Sequence, residues 1–206
     1  MELSEVLARP TAVCCMEMQR GVVGDLSTVA RTTEAVEADG LVPRLALLLD
    51  DARRTERPVI HCTASFRADG RGSFANMPMV EHLRAQGGHL IAGTPSTDPL
   101  PDLWDRTGDL VSERHHGIAP FTGTALETEL RTRGIATVVA VGVSLNRGIL
   151  GLAIEAVNRG FDVVVPTDGS VGYPAAYGRD VLEHTLRGIC HLATVAEVRS
   201  AWTTAR

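Results

Sequence analysis

A single glutamate stands at the end of the first strongly apolar run of the sequence, TAVCCMEM. Glu17 follows residues that a buried strand would contain, and a carboxylate at such a place is costly unless it is paired or protonated. Acids inside buried runs are rare without a partner. We therefore expect Glu17 to do proton-transfer chemistry rather than only to cap a neighbouring turn.

Histidines follow two further apolar runs. His61 closes RPVIHCT, and His115 and His116 stand together in SERHHGIAPFTGT. Histidine titrates near neutral pH and suits proton transfer, but a lone histidine at a strand end is more often hydrogen-bonded structure. His61 thus has two interpretations, structural or substrate-binding, whereas at least one of the paired histidines should face a site. Glutamate and histidine also bind metals, but this spacing is not diagnostic, so we predict neither metal nor cofactor.

The segment GVSLNRGIL places Gly148 where an apolar run ends and a helical pattern begins. Many α/β enzymes keep a nucleophile at such a turn, and the backbone N–H groups of a helix start form a ready anion or oxyanion site. Here the turn has the N–H groups but no nucleophilic side chain at its central position. Tight packing of the helix on the strand explains the glycine equally well.

The elements that must position these residues alternate between strand and helix. The predicted strands are short, β-branched and apolar on both faces, as in a parallel sheet; they cover 11–18, 57–63, 108–112, 136–142 and 161–168. The predicted helices cover 41–55, 123–134, 148–160 and 176–193. Right-handed crossovers follow, so we predict an α/β fold in three layers, a parallel-dominated sheet flanked by helices on both faces, with 1–206 as a single domain.

Residues 64–107 have little periodicity and are rich in Gly, Pro, Ser, Asp and Arg. We predict that this segment crosses the carboxyl edge of the sheet, where ligands bind in open α/β sheets. It should shape a pocket and supply substrate contacts, of which Arg67 is our first candidate. The other candidates in the segment are Asp69, Arg71, Phe74 and Asn76.

The composition limits the partners. A net charge of −5 and a pI near 5.8 offer no basic stripe for nucleic acid or an anionic membrane. The sequence shows neither a basic, apolar leader nor a run of about 18 apolar residues, so we expect a cytoplasmic protein. The four cysteines lack metal-ligand spacing and are expected to be free thiols, mostly in the core.

Taken together, these segments resemble the isochorismatase-like superfamily, the cysteine-hydrolase group that includes nicotinamidases, carbamoylsarcosine amidohydrolases and isochorismatases. The matching segments are TAVCCMEMQRGVV, RPVIHCTASFRADG, HHGIAPFTGTALETELRTRGIATVVAVGVS and NRGFDVVVPTDGSVG. The resemblance implies a family-type fold over nearly the whole chain. It also implies a homo-oligomer, either a dimer or a tetramer, and a cis peptide bond between Val143 and Ser144.

The departures from the family pattern concern its Asp, Lys and Cys triad. The motifs align Glu17 with the Asp, His115 (six residues before Phe121) with the Lys, and Gly148 with the Cys. The chain contains no lysine at all, so the same subunit cannot supply the missing ammonium from elsewhere. An acyl-enzyme at position 148 is also excluded. In true isochorismatases the Cys position is a glycine too, and the carboxylate acts as a general acid.

The predicted function is therefore non-covalent acid–base catalysis on a small carboxylated metabolite, as a hydrolase, lyase or isomerase. Glu17 is the acid or base, His115 its partner, and the Ser144 and Gly148 backbone the oxyanion site, with Gly148 leaving room for substrate or water. The predicted substrate contacts are Asn146, Arg67, His61, Phe121 and His116. One alternative is a catalytically silent binder or scaffold. A weaker alternative is an amide hydrolase that uses Cys62, which requires a break in its strand.

Overall fold

The computed structural model describes residues 1–74, 76–85 and 89–204 and shows a parallel sheet. Its strands are β1 (Thr11–Met16), β2 (Val59–Ala64), β3 (Leu110–Arg114), β4 (Thr137–Val143), β5 (Asp162–Pro166), β6 (Ser170–Val171) and β7 (His191–Ala193). The strand order is β3-β2-β1-β4-β5-β7, and β6 pairs with β4. Every pair is parallel. The carboxyl ends of these strands therefore meet at one edge of the sheet, which we call the carboxyl edge.

Helices cover both faces of the sheet, which confirms the three-layer α/β prediction. The α-helices are α1 (Leu3–Ala8), α2 (Arg20–Val23), α3 (Ala30–Asp39), α4 (Leu41–Arg54), α5 (Pro78–Ala85), α6 (Leu126–Thr132), α7 (Leu150–Asn158), α8 (Ala175–His184) and α9 (Val195–Thr204). A π-helical turn, Leu145–Ile149, precedes α7. Helices α1, α4 and α9 pack on one face, and α6, α7 and α8 on the other.

The central strand shows why the sequence forms this sheet. All six residues of β1 are buried, and successive side chains point to opposite faces. Val13 and Cys15 join the core beneath α4, whereas Cys14 and Met16 join the core beneath α7. A strand covered on both faces needs no polar alternation, which explains the uninterrupted apolar run.

One predicted helix is wrong in its second half. The pattern over 176–193 predicts a single helix, but α8 ends at His184, a short 3₁₀ turn covers Leu186–Gly188, and His191–Ala193 form β7. Val165 of β5 pairs with Leu192 in register. Pairing with the edge of the sheet therefore overrides the local helical pattern, because ladder hydrogen bonds and burial outweigh propensity.

The described parts of segment 64–107 lie at the carboxyl edge and contain α5 and two short 3₁₀ turns, Pro95–Thr97 and Pro101–Leu103. Single bridges join Phe66 to Ile91 and Gln19 to Pro99. The fully buried Gln19 side chain donates to Ala64 O at 2.9 Å and accepts from the Ala64 N–H at 2.8 Å. The segment is thus tied to the ends of β1 and β2.

None of the helices in the described ranges is long and apolar enough to cross a membrane.

Candidate functional site

Glu17 is the first residue past β1, and its backbone leaves the strand conformation there. Its φ is +50°, in the left-handed region that non-glycine residues seldom occupy. The Glu17 N–H still donates to Cys62 O at 3.0 Å. Residues held in this region cost about 1–3 kcal/mol and cluster at active sites. The backbone of Glu17 therefore singles out the same position as its side chain.

Arg114, the last residue of β3, holds the Glu17 carboxylate. Its Nη2 group donates to Glu17 Oε1, while Nε and Nη1 reach Gly117 O at 3.4 Å and Thr63 O at 3.5 Å. The Arg114 side chain is 6% exposed and that of Glu17 is 20% exposed. The pair thus has a buried cation and a carboxylate that solvent can reach.

The second carboxylate oxygen of Glu17 differs from the first. Glu17 Oε1 is bonded to Arg114, whereas Oε2 has no hydrogen bond to the described side chains or backbone. A partly exposed acceptor that the protein leaves open can bind a donor from substrate or water. The carboxylate therefore has one oxygen anchored by Arg114 and one that can accept a further hydrogen bond.

His115 lies at the same edge but does not contact Glu17. Its Nδ1 is 2.9 Å from Ser65 Oγ, and its Nε2 is 3.9 Å from Glu113 Oε2. The prediction that His115 is the partner of Glu17 is therefore corrected: the preceding residue, Arg114, is the partner. Arg114 continues the inward alternation of β3, and Ala64 at the end of β2 is its partner in register.

The turn after β4 brings Gly148 over β1. A Cβ atom at Gly148 would lie 3.0 Å from Met16 Cε, 3.1 Å from Met16 Cγ and 3.2 Å from Val143 O. Gly148 and Met16 are both buried. The space beside the glycine is thus filled by Met16, which corrects the expectation that it stays open for substrate or water.

Ser144 is the residue from which this turn starts. Its carbonyl accepts the N–H groups of Arg147 and Ile149, both at 3.1 Å. The Val143–Ser144 peptide bond is cis, as the family resemblance implied. Asn146, in the same turn, donates to Tyr173 O at 3.3 Å. Its buried Oδ1 has no partner in the described part of the chain.

His61 lies in the core rather than in the site. Its Nε2 is 3.0 Å from Asp109 Oδ2, and Arg53 donates to both oxygens of Asp109, at 3.0 and 2.7 Å. Burial raises the pKa of Asp109, but the hydrogen bonds from His61 and Arg53 outweigh it and hold this pKa below its usual value. His61 is therefore structural, which corrects its assignment to substrate binding.

Of two other predicted contacts, Phe121 is a packing residue and His116 is partly exposed. Phe121 is buried, its ring stacks on Phe161 at 6.1 Å, and Arg159 lies over it at 4.7 Å. This aromatic contact belongs to the core beneath α7, so the prediction that Phe121 binds substrate is corrected. His116 meets the exposed Phe74 ring edge-on at 5.3 Å and forms part of the surface.

Arg67 is exposed and bound to a neighbour in its own loop. It donates to the two oxygens of Asp69 at 3.0 and 2.7 Å. Asp69 also accepts the Arg71 N–H at 3.0 Å, so the three residues form a closed local turn. No contact in the described chain joins Arg67 to Glu17.

The condition for a catalytic Cys62 is not met, because β2 runs without a break from Val59 to Ala64. Cys62 is fully buried beside Cys14. A hydrogen bond with Cys62, and then burial, raise the pKa of Cys14 well above its ordinary value. All four cysteines are free thiols, as predicted, and this pair is inert packing.

His89 is a residue that the sequence did not indicate. Its Nδ1 is 3.1 Å from Thr28 Oγ1. Burial lowers the pKa of His89, and the charge of Glu17 partly opposes that shift. The next residue, Leu90, has φ +47° and gives its carbonyl to the Phe66 N–H at 2.7 Å. His89 therefore lies close enough to Glu17 for their charges to interact, and the surrounding sequence has no periodicity that could have revealed it.

Known proteins match this chain over most of its length. The pattern of the Isochorismatase domain matches residues 11–197. The uncharacterized isochorismatase family protein YecD of Escherichia coli O157:H7 is 35% identical over 208 residues, covering 96% of this chain and 98% of the relative. A solved isochorismatase family protein from Desulfovibrio vulgaris superposes with a TM-score of 0.80 at 26% identity, covering 96% and 100%. A cysteine hydrolase from Pseudomonas syringae has a TM-score of 0.80 at 23% identity, covering 96% and 94%, which supports the fold alone.

Proposed function

Because the chain belongs to the isochorismatase family, within the cysteine-hydrolase superfamily, we propose that it is a hydrolase that works without a covalent intermediate. Its substrate is a small carboxylated metabolite, and Glu17 is the proton-transfer group. Amide and enol-ether bonds are both within reach of this chemistry. The observation that carries the proposal is the Glu17 carboxylate, with one oxygen anchored by Arg114 and the other open at the carboxyl edge.

In this mechanism a single protein group, the Glu17 carboxylate, both accepts and donates the proton. For an amide, Glu17 Oε2 takes a proton from the attacking water as the water oxygen bonds to the carbonyl carbon, and then gives that proton to the leaving nitrogen. For an enol ether, protonated Glu17 first gives its proton to the vinyl carbon. Water then adds to the oxygen-bearing carbon and returns a proton to Glu17, after which the hemiketal breaks down to a carbonyl compound and an alcohol. Arg114 fixes the direction of the carboxylate throughout. Water supplies the nucleophile, so a turn without a nucleophilic side chain is compatible with turnover.

The surrounding groups have supporting roles in this proposal. The backbone N–H groups between Ser144 and Gly148, at the start of the helix, stabilise negative charge on the substrate oxygen. His115, His116, Asn146 and Arg67 remain candidates for substrate contacts at the rim. A dimer or tetramer, and a cytoplasmic location, remain predictions from the sequence.

The proposal is tested by finding a substrate and then removing one proton-transfer group. Enol ethers, amides and small carboxylic acids are screened by thermal shift, and the hits are assayed for turnover. Glu17→Gln keeps the shape and accepts the Arg114 hydrogen bond, but it cannot cycle a proton. Turnover should fall by about 100- to 10,000-fold, with ligand affinity little changed.

Glu113→Gln is the matched control for this experiment. Glu113 is a second carboxylate at the end of β3, 38% exposed and near His115 rather than Arg114. Its neutralisation should leave turnover within a few-fold of the wild type. Full activity of Glu17→Gln, or an equal loss in both variants, would contradict the proposal.

A catalytically silent binder is the second candidate, and one observation favours it: Met16 fills the space beside Gly148. Under this alternative, compounds from the screen raise the melting temperature but none is turned over. Glu17→Gln then changes neither affinity nor any rate. The same set of proteins thus separates the two functions.

A further inference from the structure

Gly148 is not required by its own backbone. It lies in the π-helical turn Leu145–Ile149, where the backbone is helical rather than left-handed, so a side chain carries no conformational penalty there. What opposes a side chain at position 148 is a neighbouring residue: the Cγ and Cε atoms of Met16 both lie too close to a Cβ placed there. Real Cβ atoms seldom approach other heavy atoms within 3.0–3.1 Å, so one side must move.

Met16 cannot easily withdraw from this contact. It is fully buried, in the same core as Leu145 and Ile149 of the turn. Its backbone is equally confined, because Gly142 on β4 approaches it so closely that a Cβ at Gly142 would lie 2.3 Å from Met16 O. Protein interiors are close-packed and cannot absorb such a displacement freely.

We infer that Met16 restricts this site to non-covalent chemistry: its thioether side chain crowds the position of the Cβ atom that every nucleophilic side chain at position 148 would carry. Gly148 and Met16 form one complementary pair, because a Cβ at position 148 requires Met16 to shift by a few tenths of an ångström. The consequence for catalysis rests on the proposed non-covalent function, whereas the contact between Met16 and position 148 does not. The contact itself is testable without a substrate, so its failure and that of the proposed function are distinguishable.

The first test is a double-mutant cycle read as the midpoint of denaturant unfolding. Gly148→Ala adds only the Cβ and should lower the midpoint in the wild-type background. With Met16→Ala, which removes Cγ and Cε, the same change should be neutral or should raise the midpoint. The 3.2 Å contact with Val143 O is present in both backgrounds and cancels in the cycle.

Met18→Ala is the matched control. Met18 is also buried and lies two residues further along the chain, but it belongs to the opposite core, beneath α4. Gly148→Ala should lower the unfolding midpoint by as much in this background as in the wild type. If Met16→Ala does not fold, Met16→Val replaces it, with a smaller rescue expected because valine keeps γ-carbons.

The second test places a thiol at the turn. In Gly148→Cys the new sulfur displaces iodide from iodoacetamide, and peptide mass spectrometry measures the rate at that site. Adding Met16→Ala should speed the alkylation by about tenfold or more, because access limits thiol reactivity. The native thiols are a low background, since burial raises the pKa of even the less buried Cys190 to about 12.

The inference predicts both a positive coupling in the cycle and faster alkylation in the double variant. Equal tolerance of Gly148→Ala in the wild-type and Met16→Ala backgrounds would overturn it. So would equal alkylation rates in Gly148→Cys with and without Met16→Ala.

Discussion

Two arginine–carboxylate pairs in this molecule have the same chemistry but differ in how many of the carboxylate oxygens are hydrogen-bonded. Asp109, at the amino end of β3, is bonded through both oxygens by Arg53, His61 and the Asp105 N–H. Glu17, at the carboxyl end of β1, is bonded by Arg114 through one oxygen and is partly exposed. The Asp109 side chain is 1% exposed, that of Glu17 20%.

Under the proposed function, this difference separates a structural ion cluster from the catalytic pair. A buried carboxylate must have its acceptors satisfied, and Asp109 does. Glu17 leaves an acceptor open and holds its backbone at a φ of +50°, which folding alone does not favour. What indicates the candidate site is a solvent-accessible carboxylate oxygen without a hydrogen bond, rather than the presence of charges.

The largest effect should come from breaking the Glu17–Arg114 pair. Arg114→Leu leaves the carboxylate without its anchor, so turnover should fall by about 100-fold or more, in the range of acid–base groups. Unfolding free energy should fall by less than the about 3–5 kcal/mol typical of a fully buried pair, because the carboxylate left behind is partly exposed. Turnover and denaturant unfolding are measured in parallel.

His115→Ala is the control for that variant, since it removes the neighbouring residue that the motif spacing indicated. Its Nδ1 contacts Ser65, and its side chain is 41% exposed. Turnover should drop far less than in Arg114→Leu. A larger loss in His115→Ala would show that the partner of Glu17 has been assigned wrongly.

A substitution in the Asp109 cluster should lower the stability of the protein but not its activity. Asp109→Asn leaves Arg53 and His61 without a charged acceptor in the core, so unfolding free energy should fall by about 3–5 kcal/mol. Turnover per folded molecule should be unchanged. Asp69→Asn, at an exposed carboxylate paired with Arg67, should cost no more than about 1 kcal/mol.

Acid unfolding provides a second measurement on the same cluster. Because the folded-state pKa of Asp109 is lowered, its contribution is present above the unfolded pKa of about 3.9 and is lost as pH falls through the folded value. Wild-type stability should therefore drop below about pH 4. Asp109→Asn should lack this part of the drop; an identical acid profile in both proteins would contradict the assignment.

The smallest effect should be a shift in the titration of His89. The charge of Glu17 opposes the burial that lowers the pKa of His89, so Glu17→Gln should lower this pKa further. NMR titration of the imidazole signals measures the change, with Glu113→Gln as the control. An upward shift, or the same shift in the control, would show that Glu17 and His89 are not coupled.

The sequence predicted the sheet well because buried parallel strands leave a strong local signal. The runs at β1, β2, β4 and β5 are apolar on both faces, and their predicted ends differ from the observed ones by only a few residues. Short elements gave no such signal. β6 has two residues and β7 three, and both exist because an existing sheet offers them partners.

The sequence indicated two residues that lie at one edge of the sheet, but not the residue that contacts Glu17. Motif spacing indicated Glu17 and the turn at Gly148, and both lie at the carboxyl edge. Spacing counts residues and not side-chain directions, so it selected His115, whereas the register of β3 turns Arg114 toward Glu17. Met16 fills the turn because the end of β1 contacts the turn after β4. No local sequence pattern reports such a contact.

The most direct measurement compares Glu17→Gln with Cys62→Ala on the first substrate that the screen yields. The account predicts that Glu17→Gln loses about 100- to 10,000-fold in turnover, while Cys62→Ala, at a buried thiol in an unbroken strand, keeps turnover within a few-fold. Loss of turnover in a folded Cys62→Ala protein, together with retained turnover in Glu17→Gln, would contradict non-covalent catalysis by Glu17.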